Sequence, residues 1–102
     1  MLKLTQDPAF WTDVIISVPG QKPATIKVQF AYKDADQLKE WFEGLGDKTN
    51  FEGLRDIVRD WKGVDTQFTV EALEQMLKAL PAAAGAFFDC YRRELLESRV
   101  KN

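Results

Sequence analysis

The stretch DWKGVDTQFTVE, residues 60 to 71, opens with Asp60 and closes with Glu71, and lies between two segments that read as helices. Helix, twelve-residue loop and helix is the outline of a calcium-binding EF-hand. Such a loop needs oxygen-bearing side chains at its first, third and fifth positions, glycine at the sixth and a bidentate glutamate at the twelfth. Here the third position is Lys62, which repels the ion, and the fifth is Val64, which has no side-chain oxygen. The sixth is Asp65, and the glycine, Gly63, falls at the fourth. Only the two ends match. A plainer reading accounts for every residue: Gly63 ends one element, and Phe68 with Thr69 begins the next.

The remaining reactive groups are sparse. Histidine is absent and Cys90 is the single cysteine, so neither a histidine base nor a thiolate zinc site can be built. No disulfide can form within the chain. Asp34 with Asp36, and Glu71 with Glu74, are carboxylate pairs placed where helix starts favour negative charge. The glycines follow no phosphate-binding spacing. No catalytic, metal or cofactor residue is therefore assigned, and the chain is expected not to be an enzyme. A net charge of −2 supplies no basic excess for nucleic acid. No apolar run approaches the roughly 20 residues of a membrane span, and no secretory signal is visible. The chain reads as a complete, cytosolic, single domain over residues 1–102.

The elements that position these residues are expected to be α+β. An antiparallel two-stranded β-hairpin is predicted over about 12–32. Val14, Ile16 and Val18 alternate on one strand, and Ile26, Val28, Phe30 and Tyr32 on the other, with PGQKP as the turn. Four helices follow and form a small bundle, at about 35–45, 51–62, 70–80 and 82–99. Asp34 and Gln37 have capping-box spacing for the first, which buries Leu38, Trp41, Phe42 and Leu45 and stops at a left-handed Gly46. Asn50 caps the second, whose stripe is Leu54, Ile57, Val58 and Trp61, with Gly63 closing it. Thr69 caps the third, with Phe68 stapling onto Leu73 ahead of Met76, Leu77 and Leu80. Pro81 breaks the chain before the fourth. There Ala83, Ala84, Phe87, Phe88, Cys90, Tyr91 and Leu95 share an arc, while Leu96 falls outside it. Arg92 and Arg93, with Arg99 and Lys101, read as a solvated basic face.

Twelve aromatic residues in 102 read first as a well-filled core; the functional reading beside it is a protein-binding surface, since exposed apolar patches mark partner contacts. The contact residues expected from the pattern are Phe10 and Trp11 before the first strand, and Phe88, Leu95 and Leu96 on the last helix.

The segments IVRDWKGVDTQFTVEALEQML and LPAAAGAFFDCYRREL, the terminal RVKN, and FAYKDADQLKEWFE after the hairpin together resemble the tail assembly chaperones of long-tailed bacteriophages and prophages. Trp61, Gly63-Val64-Asp65, Phe68-Thr69, Glu71, Leu73, Pro81, Tyr91, Leu95 and Lys101-Asn102 carry the likeness, which is structural rather than catalytic. The resemblance implies a chain that binds the long helical tape measure protein and keeps it soluble while tail tube subunits polymerise round it. It also implies self-association, work in the host bacterial cytoplasm, absence from the finished virion, and a short form that can be accompanied by a frameshifted longer one. The alternative from another class is a small protein-binding adaptor or regulator of an unrelated process. A DNA-binding regulator ranks below it because of the acidic balance.

Overall fold

The structure, a computed structural model, describes residues 1–97. The Arg99 and Lys101 part of the basic face, residues 98–99 of the expected fourth helix and the terminal RVKN lie outside that range. The architecture is α+β. Strands β1 (Ala9–Ile16) and β2 (Ala24–Ala31) form the expected antiparallel hairpin, in register from Ala9 opposite Ala31 to Ile16 opposite Ala24. They are followed by α1 (Ala35–Gly44), α2 (Asn50–Arg55), β3 (Val58–Lys62), α3 (Val70–Ala79) and α4 (Ala83–Leu96).

The hairpin is not alone. Val58–Lys62, expected as the second half of a helix, is a third strand pairing antiparallel with β2, so the sheet order is β1-β2-β3. The reason lies in the register. Val28 faces Trp61 and Phe30 faces Val58, so β3 spends three residues where β2 spends two. Arg59 is the extra residue of a β-bulge. The bulge puts Val58 and Trp61, both buried, three residues apart on one face of a strand. Together with Leu54 and Ile57 they reproduce helical spacing, though only α2 is helical. Two smaller expectations also change. The cap of α2 is Thr49, which exchanges bonds with Glu52 in a capping box, rather than Asn50. Gly46 is not left-handed; a 3-10 turn at Leu45–Asp47 carries the chain onward. Gly63 does take positive φ, +89°, but it ends a strand.

The other boundaries follow their local chemistry. Asp34 accepts from the Gln37 N–H at 2.9 Å while the Gln37 side chain accepts from the Asp34 N–H at 3.0 Å, closing both ends of the α1 capping box. Thr69 caps α3 through the Ala72 N–H. Leu80, extended before Pro81, ends α3.

Alternation along the strands sends Val14, Ile16, Ile26, Val28 and Phe30 into one core with the helices. Tyr91 of α4 is the hub of that core. Its ring meets Phe30 at 5.1 Å and Trp41 at 5.2 Å, and its hydroxyl donates to the Ala31 carbonyl at 2.8 Å. Burial pushes the phenol pKa up, so the hydroxyl stays a donor. Among the described residues no buried side-chain polar atom lacks a partner. The segment that outlined a calcium loop is built as a corner. Trp61 is buried, donates its indole N–H to the Thr66 carbonyl at 2.8 Å, and meets Phe68 edge-on at 5.1 Å.

Candidate protein-binding surface

The five residues expected to make contacts do not form one patch. Phe10 is half-buried, stacked 6.3 Å from Tyr91 and tilted against Phe30 at 6.0 Å, so its ring is committed to the core. Trp11, next to it, points to the open face of the sheet and is 40% exposed, with the Lys62 ammonium 4.5 Å from its ring centre. On α4, Leu95 packs against the core, while Leu96 is 59% exposed. Phe88 is half-buried with its ring 5.9 Å from Trp41.

Phe88 belongs to a site that the sequence reading did not assemble. Between the end of α1 and the outer side of α4 lies an open depression of about 400 Å³, floored by Phe42, Leu45 and Phe88 and rimmed by Lys48, Thr49, Asn50, Asp89 and Arg92. Phe42 was expected in the core with Trp41, yet it is 38% exposed. Successive residues on a helix diverge by about 100°, so with Trp41 pointed at Tyr91 its neighbour is turned to the flank. That divergence was the available signal. The rim charges are already engaged: Lys48 with Asp56 at 2.7 Å, Arg92 with Asp89 and Glu97, and Arg93 with Asp89. Leu96 lies one turn beyond Arg92 on the same side of α4. An apolar floor between two helices with a polar, paired rim suits the apolar stripe of a partner helix.

Gly53 lies beneath the floor. A Cβ there would come within 2.7 Å of Leu45 Cδ2 and 3.5 Å of Phe88 Cζ. The closer atom is the end of a flexible side chain, so a methyl group displaces Leu45 rather than breaking the fold. Gly53→Ala is expected to keep thermal stability within about 1 kcal/mol while shifting the Leu45 and Phe88 resonances in an NMR spectrum. Unchanged shifts at both residues would detach Gly53 from the depression.

A second depression runs along the outer strand β1, between it and α4. The Thr12 hydroxyl donates to Glu94 at 2.7 Å, and the buried Cys90 thiol donates to the Asp13 carbonyl at 3.4 Å. These contacts tie α4 over the β1 edge. At the opposite edge, the Trp61 N–H donates to the carboxylate of Asp60 at 2.8 Å. One backbone group on each edge is thus engaged by a side chain.

Among the described residues, no three of the His, Cys, Asp and Glu side chains gather to hold a metal ion, and no helix is long and apolar enough to cross a membrane. The fold is a small α+β one, with a three-stranded antiparallel sheet and four α-helices among the described residues. The chain belongs to the phage tail assembly chaperone family, whose pattern matches residues 1–102, its full length. No curated protein and no solved structure matches it.

Proposed function

We propose that this chain is a non-enzymatic tail assembly chaperone that binds and solubilises the tape measure protein and helps recruit tail tube subunits. It works in the host bacterial cytoplasm and leaves before the virion is complete. The observation that carries this reading is the apolar floor of Phe42, Leu45 and Phe88 between α1 and α4. A tape measure chain is long and helical, so it presents amphipathic segments that such a floor can receive. Modest affinity at each segment suffices, because many copies along one client act together. Family membership supports the tail-assembly role over the unrelated-adaptor reading.

The test is co-expression with a phage tape measure protein. The client is expected in the soluble fraction, co-purifying with this chain, and in the pellet without it. A client that pellets equally in both cases would refute the proposal.

A further inference from the structure

Trp41 is buried directly behind the depression over Phe42, and its side chain meets three helices at once. Its ring lies 5.1 Å from Phe42 and 5.9 Å from Phe88, the two aromatic residues of the floor, and 5.2 Å from Tyr91 on the core side. Its indole N–H donates to the Gly53 carbonyl of α2 at 3.2 Å. Gly53 in turn lies beneath Leu45 and Phe88, where a Cβ would come within 2.7 Å of the first and 3.5 Å of the second. Phe42, Leu45 and Phe88 are thus each one contact from Trp41 or from the backbone that Trp41 holds. We propose that Trp41 is the positioning residue of the client site: it does not touch the client, and it sets the spacing of the three floor residues. The inference rests on the reading that this depression receives the tape measure protein.

The bond to Gly53 follows from how α2 ends. In a continued helix the Gly53 carbonyl would accept from the N–H four residues on, that of Ile57. Here the Ile57 N–H goes to the Leu54 carbonyl at 3.0 Å as the chain turns into β3. Carbonyls in the last turn of a helix need partners from outside it, and a buried one left bare is costly. The indole of α1 is that partner. It ties α1 to α2, while the edge-on contact with Tyr91 ties α1 to α4.

Phenylalanine at this position keeps an aromatic ring but loses the donor and the second ring of the indole. The end of α1 is then free to shift against α2, and the floor loses its spacing. A groove that must reorder before it accepts a helix binds more weakly than one already shaped. The other two tryptophans have no such place. Trp11 borders the β1–α4 depression, and Trp61 holds the corner at Thr66 and Phe68.

Trp61→Phe is the matched control, because it makes the same exchange and loses the same kind of bond away from the floor. Calorimetric titration with a synthetic helical segment of a phage tape measure protein should find Trp41→Phe weaker than wild type by roughly fivefold or more, and Trp61→Phe within about twofold. Phe42→Asp reports on the reading beneath the inference. If Phe42→Asp weakens binding and Trp41→Phe does not, the positioning role is overturned while the site stands. Equal losses for Trp41→Phe and Trp61→Phe overturn it as well, since general softening of the fold then explains both. If Phe42→Asp binds as wild type does, the client docks elsewhere and the inference falls with the site. Should Trp41→Phe fail to fold, the wild-type chain decides through the indole N–H resonances of its three tryptophans. Adding the segment should move the Trp41 resonance and leave that of Trp61 in place. A Trp41 resonance unmoved by a segment that shifts Phe42 overturns the inference.

Discussion

Trp61→Ala is expected to lower the melting temperature by about 20 °C. Removing a buried tryptophan costs about 3–5 kcal/mol, and for a domain of this size each kcal/mol is worth roughly 4–8 °C. Trp61 is buried, meets Phe68 edge-on and ties the chain to the Thr66 carbonyl. Its loss therefore releases β3 and the corner leading into α3 together. Trp61→Phe keeps most of the apolar volume and loses mainly the indole hydrogen bond, worth about 1 kcal/mol, so its drop should be a fraction of the alanine variant's. Thermal unfolding followed by circular dichroism distinguishes the two. A fall of under about 5 °C for Trp61→Ala would mean that the corner contributes little.

The larger functional effect is expected at Phe42. With 38% of its surface exposed, it is open enough that Phe42→Asp should leave the fold intact. A charge at the centre of an apolar floor removes an aromatic contact and strands a carboxylate under the partner. The expected loss is about 2 kcal/mol or more, roughly thirtyfold in affinity for a tape measure segment. The comparison is Val70→Asp, equally exposed on the first turn of α3, outside the depression and favourable to the helix dipole. Calorimetric titration with a helical client segment should find Val70→Asp unchanged. Equal affinities for Phe42→Asp and wild type would place client binding elsewhere, with Trp11 and Leu96 as the next exposed candidates.

The hairpin was readable because strict alternation over Ile26, Val28 and Phe30 has one physical meaning, a sheet wet on one side. The α1 and α3 starts were readable because Asp34 and Thr69 act through bonds made within three residues. β3 was not. Its inward residues carry a bulge, and a bulge converts the strand period of two into a local three. Val58 and Trp61 thus fit a helical stripe that their backbone does not form. Only pairing with β2, some thirty residues earlier, distinguishes the cases, and periodicity within a window contains no such information.

The depression over Phe42 was half legible for a related reason. Composition showed twelve aromatics, and Phe88 was placed among the expected contact residues. What the pattern could not supply was its neighbours. Phe42 and Leu45 reach Phe88 only through the turn at Leu45–Asp47 and the packing of α1 near α4. Phe10 shows the opposite case: a residue outside the expected strand that the strand in fact includes, at Ala9–Ile16, so that its ring turns inward.

The carboxylate of Asp60, folded back onto the Trp61 N–H, has a consequence for life in a crowded cell. A bare strand edge recruits other bare edges, and the outcome at high copy number is a fibril. Here an acid holds one amide of one margin, and α4 is tied to the other through Thr12 and the Asp13 carbonyl. A chain built this way can accumulate with less tendency to seed such pairing.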